Sequence, residues 1–224
     1  MDQCPNCGEW LVEPEYFDDF QTVTGNHIVV GGRIIGKTEL LVRRAVTLCE
    51  DGYDVQILAP RMSMCRQIKD RVWENLGGES FTSHGSGPIQ SESGGSILFD
   101  STASLHGFDH STAKAVDAVL VDEAQEVPQS VWLSLDRFSD EIPLLVFAGT
   151  PKPTQTILGG FAEYNTKYDT WHIPTDSSHT AVTGGKIEQQ YQYMSARTFA
   201  AEIKAEYWSG NDGPTIRPDH DYSQ

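Results

Sequence analysis

Eight consecutive residues, Gly31-Gly32-Arg33-Ile34-Ile35-Gly36-Lys37-Thr38, have the types and spacing to grip a nucleotide polyphosphate. They fit G-x-x-x-x-G-K-[ST], in which glycines let backbone N–H groups converge on phosphate oxygens. The lysine then reaches the β- and γ-phosphates of ATP, and the threonine hydroxyl binds Mg²⁺. A second candidate pair, Asp122-Glu123, directly follows the apolar run Ala118-Val119-Leu120-Val121. Asp122 at such a strand tip would hold the Mg²⁺, and Glu123 would polarise the attacking water as general base. An acid right after the metal-binding aspartate favours hydrolysis over nucleotide storage. Gly149-Thr150-Pro151 ends another apolar run, and two readings stay open for it. A hydroxyl there can sense a γ-phosphate at the switch point of a parallel sheet, or the tripeptide is a plain turn.

The elements around these residues are those the chemistry needs. His27-Ile28-Val29-Val30 reads as a buried strand entering the loop, and Glu39 to Glu50 as a helix leaving it. That order puts the positive end of a helix against the phosphates. Val55-Gln56-Ile57-Leu58-Ala59 is a second strand, stopped by Pro60. Residues 62–76 then carry Cys65, Ile68, Val72 and Leu76 at helical spacing. Residues 77–95, rich in Gly and Ser, read as a long loop. A short strand is expected at Ile97-Leu98-Phe99, and further strands at Ala118 to Val121 and Leu144 to Ala148, with a helix from Pro128 to about Phe138 between the last two. Strands alternating with helices predict an α/β fold, a mainly parallel sheet flanked by helices. Beyond Pro153 the pattern loosens until a final amphipathic helix at Ser195 to Trp208, and the tail from Ser209 reads as flexible.

Composition narrows the class. The chain has 224 residues, with 32 acids against 16 bases and a formal charge of −16. Seven lysines among so many acids suggest a high-salt cytoplasm. Such bulk charge repels a nucleic-acid backbone, so contact with DNA requires a locally basic strip. Arg61, Arg66, Lys69 and Arg71 lie within eleven residues holding one acid, Asp70; a solvated helix face is the equal alternative. No apolar run reaches the roughly 18 residues of a membrane span, and Met1-Asp2-Gln3-Cys4 does not begin a signal peptide. A soluble, intracellular protein is expected. Cys4 and Cys7 form half of a zinc knuckle. Zn²⁺ there needs two more ligands, so metal binding and a frayed or partner-completed terminus both stand.

Taken together, GGRIIGKT, ILAP, VLVDEAQEVP and FAGTPKP resemble the ATPase domain of the large terminase subunit of tailed double-stranded DNA viruses. The closing stretch Ser195 to Tyr207 is similar to the segment that joins that ATPase to its nuclease. The resemblance implies a RecA/ASCE-like P-loop NTPase with a small C-terminal lid or linker, packaging viral double-stranded DNA into a procapsid. It implies that Arg33 acts on the γ-phosphoryl group as an arginine finger, and that Gly149-Thr150-Pro151 couples hydrolysis to DNA movement. Ala59-Pro60-Arg61 would lie near DNA, and Gln21, after Phe20, would read adenine. The implied partners are DNA, portal, small terminase subunit and further copies in a ring, in the host cytoplasm and transiently at the portal. The expected division is an N-terminal segment 1–26, an ATPase core 27–153, its remainder and lid 154–208, and an acidic tail 209–224. Only sixteen residues follow Trp208, so no nuclease activity is expected of this chain and a separate nuclease chain is. A helicase-like or DNA-remodelling ATPase, and a nucleotide-binding scaffold without turnover, are the alternative readings.

Overall fold

A computed structural model describes residues 16–33, 35–76, 81–83, 87–103, 113–152, 157–175 and 194–206. Eight strands form one sheet: β1 (Gly25–Gly31), β2 (Asp54–Ala59), β3 (Phe81–Ser83), β4 (Ile89–Ser91), β5 (Ser96–Ser101), β6 (Ala118–Val121), β7 (Leu144–Gly149) and β8 (Asp169–Ile173). Their order across the sheet is β3-β4-β5-β2-β6-β7-β1-β8. The six strands from β5 to β8 pair in parallel, and only β3 with β4 and β4 with β5 are antiparallel.

The strand sequences divide their side chains between two faces because successive residues of a strand point opposite ways. Val29, Ile57, Leu120 and Val146 enter the core on one face, beneath helices α1 (Tyr16–Phe20), α2 (Lys37–Glu50) and α3 (Met62–Asn75). Ile28, Val30, Leu58, Val119, Val121, Leu145 and Phe147 enter the other, under α4 (Gln129–Arg137) and α5 (Ile157–Tyr164). Near-continuous apolar strands are what a sheet covered on both faces requires. The second core is anchored by Trp132 of α4. It is fully buried, stacks on Phe147 at 3.8 Å between centroids, and donates its indole N–H to the Ala124 carbonyl at 3.0 Å.

Parallel pairing brings the C-terminal ends of β1, β2, β6, β7 and β8 to one edge of the sheet. β7 lies between β1 and β6, so the phosphate-loop strand and the acid-tipped strand are separated by the strand that ends in Gly149.

Three expectations change. Residues 77–95 are not one loop, since β3 and β4 form a hairpin there that continues the sheet. The stretch after Pro153 carries α5 and then β8, which pairs with β1 throughout its length. The final helix, α6 (Ala196–Glu202), is shorter than Ser195–Trp208, and 207–208 lie outside the described residues. Ser195 caps it, accepting from the Thr198 N–H at 3.1 Å. Among the described residues no helix is long and apolar enough to cross a membrane.

Truncating Trp132 to alanine removes a stacked, hydrogen-bonded side chain and leaves a cavity. The expected cost is about 3–5 kcal/mol, read as a lowered urea midpoint, with Trp132→Phe losing less because the ring stack survives.

Candidate functional site

The loop between β1 and α2 is built for close approach. Gly36 stands at the N-cap of α2 with φ 85°, a left-handed conformation that glycine adopts freely. No side chain caps α2, so its first N–H groups are left to an incoming anion. Helix α1 braces the loop: the Tyr16 hydroxyl donates to the Ile35 carbonyl at 2.8 Å, and Arg43 lies 5.1 Å over the Phe17 ring. Ile34 lies outside the described residues.

Lys37 folds back over this loop, its ammonium donating to the carbonyls of Gly32 at 2.7 Å and Gly31 at 3.1 Å. Burial lowers its pKa to about 8, against the opposing pull of Glu123 and Asp122. An ammonium held by two carbonyls can exchange them for phosphate oxygens at little desolvation cost, since it is already out of water.

Thr38 donates its hydroxyl to Asp122 Oδ2 at 2.8 Å, joining the phosphate loop to the tip of β6. Asp122 is buried, and its other oxygen, Oδ1, has no hydrogen-bond partner. Burial and the neighbouring Glu123 raise its pKa. A buried carboxylate oxygen with nothing to bind, next to a hydroxyl, is a hard-oxygen donor set that fits Mg²⁺. Among the described residues, no group of three or more His, Cys, Asp or Glu could hold a metal. Cys4 and Cys7 lie outside them.

Glu123 takes φ 49°, left-handed for a residue with a side chain. Such a backbone persists only where surrounding contacts hold it. Gln125 supplies them. Its amide N–H₂ donates to Glu123 Oε2, and its Oε1 accepts the Thr150 backbone N–H at 3.0 Å. One side chain therefore ties the candidate base to the strand tip after β7. Gly149 leaves room for this, because a Cβ there would meet Gln125 Oε1 at 2.5 Å. Nothing in the sequence singles out Gln125 apart from its place two residues after Glu123. Arg33, Glu123, Gln125, Thr150, Pro151 and Glu202 line one cleft of about 510 Å³.

The remaining candidates divide. Arg61 and Lys152 reach the same cleft and face Glu126, at 3.8 and 3.6 Å. Arg66 and Arg71 are exposed on α3, whereas Lys69 bonds to Ser83 Oγ at 2.9 Å and to the Gly87 carbonyl at 2.7 Å, securing the hairpin. Gln21 donates its amide to the Phe17 carbonyl at 3.2 Å, and its side-chain oxygen is buried without a partner. Phe20 offers no face to a purine. It is fully buried, edge-on to Trp171 at 5.5 Å and near His27, because α1 packs it into the core. His27 is likewise packed, bonded to the Thr24 carbonyl at 2.9 Å and to the Trp171 indole at 3.2 Å.

A parallel sheet with a glycine-cradled lysine after β1, a strand interposed, and a tandem acid after β6 defines an ASCE-type P-loop NTPase fold. Comparison with known proteins narrows the fold further. No family model matches the chain, and no curated protein does. Solved structures do. The large terminase ATPase domain of Thermus phage P74-26 is 16% identical with a TM-score of 0.61, over 90% of this chain and 95% of that one. The large terminase of bacteriophage HK97 is 12% identical with a TM-score of 0.64, over 90% of this chain and 52% of that one. That of a thermophilic bacteriophage, solved with ATP-γ-S, is 13% identical with a TM-score of 0.65, over 87% and 52%. The chain has the fold of a large-terminase ATPase domain and spans about half the length of the latter two terminases.

Gln125→Ala removes both hydrogen bonds of the bridge. Phosphate release should slow by roughly tenfold to a hundredfold, the worth of one bond to a charged group, with nucleotide affinity little changed. Unaltered turnover would mean that Glu123 is placed without the bridge.

Proposed function

We propose that this chain hydrolyses ATP as the motor domain of a terminase that packages double-stranded DNA. The observation that carries the reading is the Thr38–Asp122 contact at 2.8 Å, which puts the phosphate-loop hydroxyl against the acid-tipped strand. The amides of Gly31–Thr38 receive the phosphates, and Lys37 moves from the Gly31 and Gly32 carbonyls to the β- and γ-oxygens. Thr38 and Asp122 would hold Mg²⁺, which when bound neutralises charge on the phosphates. Glu123, oriented by Gln125, takes the proton of the attacking water. Arg33 stabilises the γ-phosphoryl group as it transfers. Loss of that phosphate is felt at Thr150 through Gln125, which makes Gly149-Thr150-Pro151 the coupling element.

The fold shared with large-terminase ATPase domains, one of them solved with ATP-γ-S, supports the packaging role. So do Arg66 and Arg71, exposed on α3 beside Arg61. DNA would run past this basic face, where local charge offsets the repulsion of an acidic chain. A ring of copies on the portal and a small terminase subunit complete the proposed assembly, in a host with a high-salt cytoplasm.

Glu123→Gln keeps the size of the side chain and removes its basicity. It should bind ATP as wild type does while losing on the order of 10²–10⁴-fold in turnover, measured as phosphate release with Mg²⁺. Equal hydrolysis by both proteins would rule out Glu123 as the base.

A further inference from the structure

The phosphate loop is stitched to the end of α6, some 170 residues later in the chain. The Arg33 N–H donates to the Glu202 carbonyl at 2.6 Å, and the Arg33 guanidinium Nε pairs with Glu202 Oε2 at 2.8 Å. Thr175, just after β8, completes the seam by donating its hydroxyl to the Arg33 carbonyl at 2.9 Å and its N–H to the Ile203 carbonyl at 2.8 Å. Gly32 makes this approach possible, since a Cβ there would meet Thr175 Oγ1 at 2.2 Å and the Ile203 carbonyl at 2.5 Å.

Arg33 thus has its charge engaged. Among the described residues Glu202 is its ion-pair partner, although Glu123 and Glu126 line the same cleft. The two partners differ in exposure: the Arg33 side chain is 53% exposed, that of Glu202 only 15%. The arginine can leave into the cleft. The carboxylate is mostly covered and would lose its counter-charge, an unfavourable state for the helix that carries it.

We infer that Glu202 is a positioning residue that holds Arg33 off the phosphoryl site until a nucleotide with a third phosphate arrives, so that ATP, and not ADP, breaks the ion pair between the phosphate loop and α6 and loosens the end of that helix. The inference rests on the reading that Arg33 serves the γ-phosphate. A γ-phosphate offers more charge and more acceptor oxygens than one carboxylate, and a guanidinium binds it in two-pronged fashion. ADP brings no group that competes for Arg33. The third phosphate is therefore read twice: by the catalytic groups, and by a helix that loses its ion pair.

The test compares ATP-γ-S and ADP binding to the full chain, with Mg²⁺, for wild type, Glu202→Gln, Glu202→Asp, Arg33→Ala and the Arg33→Ala/Glu202→Gln double variant. Removing the competing charge in Glu202→Gln should tighten ATP-γ-S by about fivefold, the upper worth of a half-exposed pair, and leave ADP unchanged. Glu202→Asp should stay close to wild type, and the double variant should match Arg33→Ala. In wild type, amides of α6 should exchange hydrogen faster with ATP-γ-S than with ADP, a readout independent of any variant's folding.

An unchanged ATP-γ-S to ADP ratio in Glu202→Gln would overturn the inference, as would parallel weakening of both nucleotides. If Arg33→Ala binds ATP-γ-S as wild type does, the γ-phosphate role of Arg33 falls, and the inference with it. If Arg33→Ala weakens ATP-γ-S and Glu202→Gln changes nothing, only the Glu202 inference falls.

Discussion

The hydrogen bond from Thr38 to Asp122 joins residues 84 positions apart, and most of the fold exists to make it possible. Thr38 begins a helix that follows β1, Asp122 follows β6, and β7 lies between these strands. Their tips meet only if all three run parallel and in register, which the pairs Ala118↔Leu144 and His27↔Val146 impose. That register is held by apolar side chains on both faces. A slip of one residue would turn Val29 and Val146 toward the wrong core. Burial also raises the cost of the contact: Asp122 is desolvated and one of its oxygens has no partner. A fold optimised for stability alone would not keep such a carboxylate, whereas one that must receive a cation needs it.

From that contact the site extends in two directions, in each through a side chain that bridges two elements. Toward β7, Gln125 carries it from Glu123 to the Thr150 N–H. Toward the C-terminal segment, Arg33 carries it from the phosphate loop to Glu202. The left-handed Glu123 is consistent with this economy of contacts: a strained backbone aims the acid, and one amide side chain stops it relaxing. Rigid strands position the groups and a few polar side chains connect them. A change at the phosphates therefore has short paths outward, over bonds whose partners can be exchanged.

What could be read without coordinates follows from which interactions are local. The loop at Gly31–Thr38 and the pair Asp122-Glu123 are legible because each sits at the end of an apolar run, and burial on both faces makes such runs unmistakable. β8 is not, because Asp169-Thr170-Trp171-His172-Ile173 is an edge strand whose residues are mostly exposed, so it has no apolar signature. Its strand state comes from pairing with β1. The hairpin β3–β4 is hidden for a related reason, its strands being three residues long within a Gly- and Ser-rich stretch. Phe20 misleads in the other direction. An aromatic before a glutamine suits a purine, but the same ring suits a core, and the packing of α1 against β1 and β8 takes it there. Glu202 and Gln125 carry no local signal, as each gains its role from a partner brought near by folding.

Charge gives these contacts a common logic. The chain carries −16 overall, yet at the sheet edge four cations, Arg33, Lys37, Arg61 and Lys152, face four acids, Asp122, Glu123, Glu126 and Glu202. Among the described residues this edge is balanced, although the chain as a whole is strongly acidic. Each exposed cation there already has a carboxylate, with Glu126 shared by Arg61 and Lys152 and Glu202 held by Arg33. A phosphate group that reaches Arg33, Arg61 or Lys152 does not meet bare positive charge; it must displace a carboxylate. Contact with these three cations is then weaker than free cations would give, and each such contact leaves an acid without its partner. In the proposed mechanism that acid, fixed to a different element of the fold, is where occupancy of the cleft would reach the surrounding structure.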